Sequence, residues 1–186
     1  MNKFLTLILL LVFASLIAGI YGSLHDQISY AISPEYYTKF KFIQFEFVDM
    51  GNEAILPNPR FYVAIVGFLA TWWMGALLGL ILSLVGLVHS NWKSMLSVTV
   101  RAFFITMGVA FVTGIIGLTY GHFFLANEPK ESFENWFIPD NLIDFASFIS
   151  AGSMHNFSYL GGVIGLVAGI IYSLGQKKKH SVLAVA

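Results

Sequence analysis

The sequence contains no cysteine at any of its 186 positions. That excludes disulfides, thiolate metal sites, thioether-linked haem and a lipoprotein anchor together. Charge is scarce as well: 11% of residues are charged, against about 25% in an ordinary soluble domain. With 57% hydrophobic residues and a mean hydropathy of +0.76, the chain is not a water-soluble domain. The long apolar runs hold no acidic residue, so the usual markers of a proton relay or ion path through mid-membrane are missing. No glycine loop leads into a lysine in P-loop form, and no serine sits in a nucleophile motif. A nucleic-acid partner is excluded in effect, because the one basic cluster is the tail Lys177, Lys178 and Lys179.

What is present is four apolar runs, at residues 4–22, 61–88, 98–125 and 154–174. Each approaches or exceeds the roughly 20 residues that cross a hydrocarbon core. The expectation is an all-α membrane protein: one integral domain, residues 1–186, folded as a four-transmembrane-helix bundle in the lipid bilayer. The first run follows Lys3 as a signal peptide would, yet it is longer than an h-region and no A-x-A site follows it, so it reads as a permanent span.

Charge orients the bundle. With the N-terminus inside, the inner side holds Lys3, Lys93, Arg101 and the three tail lysines, while the outer side holds Lys39, Lys41, Arg60 and Lys130. All ten acids fall outside, giving that face a formal charge of −6. The lysine and arginine bias favours both termini in the cytoplasm, with outer loops at 23–60 and 126–153.

The outer loops carry the patterned sequence. Pro34 bars a helix from crossing it. In residues 38–48 the alternation K-F-K-F, then I-Q-F-E-F in opposite phase, predicts a small β element with a bulge, or an aromatic interfacial ribbon. Residues 49–58 read as a turn-rich return to the membrane. In the second loop, Leu142, Ile143, Phe145, Ala146 and Ile149 have helical spacing after Pro139-Asp140. They predict an amphipathic surface helix over 140–151, stopped by Gly152. Ser153 would then cap the fourth span and put His155 in its first turn.

Within the spans, Gly75 and Gly79, and Gly161, Gly165 and Gly169, form small-xxx-small faces that allow helices to approach closely, in the monomer, in a homo-oligomer or with a membrane-protein partner. The short turn at 89–97 makes the second and third spans antiparallel neighbours, with His89 at the solvated interface. Trp72 and Trp73 are expected to pack, their indole N–H groups satisfied by a neighbouring helix. The first and third spans end alike, GIYGSLH and GLTYGH, and WMGALLGLI in the second echoes YLGGVIGLV in the fourth. The chain thus reads as two related hairpins, with His25 and His122 equivalent.

His25-Asp26-Gln27, with Pro34-Glu35-Tyr36-Tyr37-Thr38, then ATWWMG at 70–75 and His155 with Ser158-Tyr159 before a glycine pair, resemble a family of small bacterial four-span inner-membrane proteins. That family carries an HDQ…EYFT signature after its first span. The resemblance implies a bacterial cytoplasmic-membrane protein and marks His25, Asp26, Gln27, Glu35 and Tyr36 as the signature. It covers the first loop and the second span well and the fourth loosely, and it brings no reaction. A four-span bundle with strands in its first outer loop is also similar to claudin-type proteins, whose paired loop cysteines are absent here.

Candidate chemistry gathers where three spans meet the outer side, at His25, His122 and His155, with Asp26 and Glu35 from the loop. Imidazole with carboxylate suits zinc, iron, copper or manganese, and an open coordination position would activate water. Haem fits less well, since no histidine lies deep in a span. Two functions follow from different classes. One is an accessory or scaffold subunit of a membrane assembly, presenting an acidic, aromatic outer cap. The other is a metal-dependent or redox enzyme using His25, His122 and His155 with Asp26 or Glu35. A small-molecule carrier would need a polar cavity that such spans scarcely supply.

Overall fold

The computed structural model describes residues 2–49 and 53–183, the side chains of 178–183 excepted. Four long helices dominate it, and no strand occurs among the described residues. They are α1 (Lys3–Ile32), α2 (Pro59–Gly86), α3 (Trp92–Phe123) and α4 (Phe145–Leu183). All four are long and apolar enough to cross a membrane.

Local chemistry sets where the helices start. The Asn2 side chain caps α1 by accepting from Leu5 N at 2.9 Å, and the Asn91 side chain caps α3 through Lys93 N and Ser94 N, both at 3.0 Å. Pro59 occupies the first turn of α2, where its missing N–H costs nothing. Asp144 opens α4 by accepting from Ser147 N at 3.0 Å. This cap corrects the expectation for the second loop. There is no separate surface helix over 140–151, Gly152 does not stop one, and Ser153 caps nothing. One helix runs from Phe145 onward, and Gly152 lies inside it under the Trp136 ring.

The β element expected at 38–48 is also absent. After Ile32 the chain makes a helical turn at Pro34–Tyr36, a π-turn at Tyr37–Lys41 and a further turn at Phe42–Gln44. Ser33, Pro34 and Glu35 are a helix start in sequence order: a capping hydroxyl that accepts from Tyr36 N, a proline in the first turn, and an acid at the positive end of the dipole. Glu35 then pairs with Lys39 one turn later. The alternation that imitates a strand exists because Lys39 and Lys41 are both buried, 4% and 7% exposed, and both are satisfied inside the cap. Lys39 donates to Glu35 and to Asn141 O, while Lys41 donates to Gln44 Oε1 and lies against the Tyr36 and Phe40 rings. Glu46, at φ 59°, closes the segment in the left-handed region.

Helices α1 and α2 form one tight hairpin, α3 and α4 the other. Gly22 and Gly67 face one another so closely that a Cβ on either would overlap the other's backbone. Gly75 and Gly79 pack on Ala14 and Ala18. In the second hairpin Gly121 meets Ser150 and Ser153, Gly161 meets Ala110 and Thr113, and Gly165 meets the Thr106 backbone. Hydroxyls lace each seam: Ser23 donates to Ala64 O (2.7 Å), Thr71 to Ala18 O (2.8 Å), Ser153 to Gly117 O (2.8 Å) and Thr106 to Gly165 O (3.0 Å). In a bilayer, where hydrophobicity gives no drive between helices, such close contacts and bonds hold the pairs together.

Two expectations about single residues change. Trp72 and Trp73 are 44% and 49% exposed, on the surface of the bundle rather than packed within it. His89 is buried, with Nε2 3.1 Å from Ser173 Oγ on α4. Of the basic tail, the side chains of Lys178, Lys179 and His180 lie outside the described residues.

A cap covers one end of the bundle. Tyr36, Tyr37, Phe42, Phe133, Phe148 and Ile149 form its buried core, with Phe40 and Trp136 packed around them. The aromatic residues of the two loops are thus turned largely inward, onto each other and onto α4.

Candidate functional site

The site begins with the length of α1. This helix continues for ten residues past Gly22, carrying His25, Asp26 and Ser29 up beneath the cap. The first span was expected to stop at 22, which hid the i, i+4 spacing of His25 and Ser29. Opposite, α4 contributes His155 and Ser158, one turn apart. His155 lies ten residues inside α4 rather than in its first turn, so the helix dipole, which acts within the terminal turn, does not reach it.

These residues form one buried network. His25 Nδ1 lies 3.4 Å from Asp26 Oδ1, and His25 Nε2 lies 3.0 Å from Ser158 Oγ. His155 Nε2 lies 3.2 Å from Ser29 Oγ and 3.9 Å from Asp26 Oδ1. Tyr37 OH and Ser29 Oγ share a hydrogen bond of 2.6 Å. The two imidazoles meet edge to face with centroids 4.9 Å apart, and Tyr36 stacks on His155 at 5.1 Å. His25, Asp26 and His155 are all at least nine-tenths buried. Asp26 Oδ2 is buried and accepts no hydrogen bond, and Tyr21 OH is in the same condition.

The cap supplies the electrostatic setting. Burial, with the negative Asp26 nearby, pushes the Tyr37 hydroxyl well above the ordinary tyrosine value. Burial does the same to Tyr36, assisted by Tyr159 and Asp26. Both phenols are therefore neutral. Burial lowers the Lys41 ammonium, and Asp26 partly offsets this.

Of the five sequence candidates, His25, Asp26 and His155 come together, each offering one ligand atom within 4.8 Å of the others. Glu35 is elsewhere. Burial raises its pKa, but Lys39 and the amides of Asp144 (2.7 Å) and Ile143 (3.0 Å) outweigh that and hold the carboxyl below its ordinary value. Its work is to join the first loop to the start of α4. His122 is exposed in the last turn of α3, its ring against Phe123 at 4.9 Å. Gln27 of the signature ties α1 to α2: its Nε2 donates to Arg60 O at 2.8 Å and its Oε1 accepts from Arg60 Nη1 at 3.0 Å. Ser29, Tyr37 and Ser158 were not singled out as site residues. Their signal was helical spacing around the two histidines.

No protein-family model, curated protein or solved structure matches this chain.

Two atoms bound to one ion at about 2.1 Å in tetrahedral geometry stand roughly 3.4 Å apart. The His25–Asp26 and Asp26–His155 separations, 3.4 and 3.9 Å, are close to that spacing. Beside the cluster, a cavity of about 120 Å³ runs between the two hairpins. His25, Asp26, Lys41 and His155 stand at its cap end, while Met74, Leu78, Phe103 and Val163 line the part between the spans.

Proposed function

We propose that this protein is a metal-dependent or redox membrane enzyme, with His25, Asp26 and His155 holding one transition-metal ion beneath the cap. The observation that carries this reading is the buried trio itself, with Asp26 Oδ1 3.4 Å from His25 Nδ1 and 3.9 Å from His155 Nε2, and the other carboxylate oxygen, Oδ2, without a partner. An unsatisfied buried carboxylate oxygen is costly, and a cation bound there would remove the cost. Two imidazoles and one carboxylate suit zinc with an open coordination position, or ferrous iron. The protein would sit in the bacterial inner membrane with both termini in the cytoplasm. Six cations on that side against four on the other support the orientation, and the cluster would then lie near the outer face.

Metal analysis of detergent-purified protein tests the reading. About one zinc or iron per chain is expected in wild type and His122→Ala, and none in Asp26→Asn or His155→Ala. Wild type that stays folded but metal-free after incubation with zinc and with ferrous iron overturns it.

A scaffold role is favoured by one separate feature. Ile55 and Ile143 are 93% and 88% exposed on the cap, where they could seat a membrane-protein partner. Photo-crosslinking from position 143 in cells would capture one dominant partner on this reading, and lipid alone if it is wrong.

A further inference from the structure

The cavity between the hairpins contains a chemical contrast that a metal ion alone does not use. Its cap end gathers Tyr21, His25, Asp26, Lys41, His155, Ser158 and Tyr159, and the rest is apolar but for Thr71 and Thr106. It exists because small residues face it: Gly162 lines the wall, and a Cβ there would meet nothing within 4 Å. Its volume of about 120 Å³ approaches the roughly 150 Å³ apolar cavity that accepts a benzene ring. Two buried polar atoms at this end, Tyr21 OH and Asp26 Oδ2, lack hydrogen-bond partners.

A second depression opens on the side of the bundle between α1 and α3, bounded by Leu24, Ile28, Phe104 and Phe111. It shares Tyr21, His25 and Met107 with the cavity. Gly108 sits in it, and a Cβ there would also meet nothing within 4 Å. The two hollows thus adjoin at Tyr21, His25 and Met107, the outer one on the apolar flank of the bundle. A membrane-dissolved ligand reaching the cluster from that flank would pass between these side chains.

From this arrangement we infer that the cavity binds a lipid-soluble quinone, its ring between the hairpins beside the histidine cluster and its hydrocarbon tail leaving between α1 and α3. The cavity is smaller than the roughly 150 Å³ that accepts a bare benzene ring, so the quinone ring is seated only in part between the hairpins and extends toward the side hollow. Its carbonyl oxygens accept hydrogen bonds, and Tyr21 OH, Lys41 and the imidazole N–H groups can donate them. A phospholipid headgroup fits poorly: it is bulkier, and the one ammonium at this end, Lys41, is already opposed by the Asp26 carboxylate. The inference deepens the metal reading by naming the substrate class of the same cluster, and it rests on that cluster being the working end of the site.

The test uses full-length protein in detergent, with decylubiquinone as probe, binding followed by native mass spectrometry and metal content measured on the same samples. Wild type is expected to bind one quinone per chain. Gly162→Leu, which fills the cavity from the α4 wall and replaces none of the cluster's side chains, should weaken binding by about tenfold or more while metal content is unchanged. Should Gly162→Leu fail to fold, Gly108→Trp at the side opening must give the same loss. Equal quinone binding by wild type and a folded plugged variant overturns the inference and leaves the metal reading standing. A phospholipid retained in the cavity in place of quinone also overturns it. Quinone binding by a protein that takes up no metal leaves the cavity assignment intact and removes the metal reading.

Discussion

The two hairpins are built alike along their seams and differently at their cap ends. In the first, Gly22 of α1 touches Gly67 of α2; in the second, Gly121 of α3 touches Ser153 of α4. Gly67 and Ser153 each lie eight residues beyond the first residue of their helix. Beyond the seam the likeness ends. Helix α1 continues for ten residues past Gly22, whereas α3 ends two residues past Gly121. The extra turns of α1 carry His25, Asp26 and Ser29 under the cap, while His122 is left exposed against Phe123. Tyr21 lines the cavity, and Tyr120, its counterpart, is 41% exposed and stacks on Phe124. Small residues at four-residue spacing fix how two helices pair, while the place of each histidine past the seam, three residues beyond Gly22 for His25 and one beyond Gly121 for His122, decides which of them enters the site.

The strongest way to break this comparison is to attack both seams. Gly22→Leu and Gly121→Leu are each expected to cost about 3 kcal/mol or more, read as a fall in the unfolding midpoint in mixed micelles. Gly175, where a Cβ meets nothing within 4 Å, serves as the control, and Gly175→Leu should change the midpoint little. A seam that tolerates leucine would show that its hairpin is held by something other than close approach.

The histidines give the next largest contrast. His25→Ala should lower metal occupancy to near zero, and His122→Ala should leave it at the wild-type level, both read by elemental analysis. Equal loss in the two variants would mean that the hairpins contribute equivalently after all.

Acid should loosen the tie between the first loop and the second hairpin. Glu35 is held below its ordinary value of 4.5 in the folded protein, so its stabilising effect is complete above that value and is lost as pH falls through the lower, folded one. Asp144, also depressed from 3.8 by the Ser147 amide and hydroxyl, acts in the same direction. Protease nicking of residues 124–144 is expected to rise as pH drops below about 4.5. In Glu35→Gln that segment should already be nicked faster at neutral pH, with only the Asp144 contribution left to titrate.

The smallest expected effect lies at Glu46. A non-glycine residue at φ 59° costs about 1 kcal/mol, so Glu46→Gly should raise the thermal midpoint by a few degrees or leave it unchanged. A clear fall would assign the Glu46 side chain a contact worth more than the backbone strain.

How much of this was legible in the sequence depends on the range of the interaction. Apolar run length and small-xxx-small spacing are read along a single segment, and they revealed four membrane-length helices and the glycine seams. The start of the helix at Ser33-Pro34-Glu35 was equally local, but the K-F-K-F alternation next to it imitates a strand. Only burial of both lysines, through partners as distant as Asn141, explains that alternation. Trp72 and Trp73 misled for the opposite reason. An apolar helix in a bilayer has no polar side to mark which face is turned outward, so hydropathy does not tell lipid contact from helix contact.

By itself, then, the sequence determined that this chain makes four membrane-length helices, where small residues let pairs of them touch, and that histidine and carboxylate occur near the ends of the spans. Tertiary structure alone decided which histidines meet. His25 and His155 are 130 positions apart, and their rings lie 4.9 Å from one another because α1 overruns its seam and α4 starts well before its own. The aromatic cap then shuts water away from the Asp26 carboxylate between them. Helix overrun depends on what packs around the extra turns, which is a property of the assembled bundle and of no single segment.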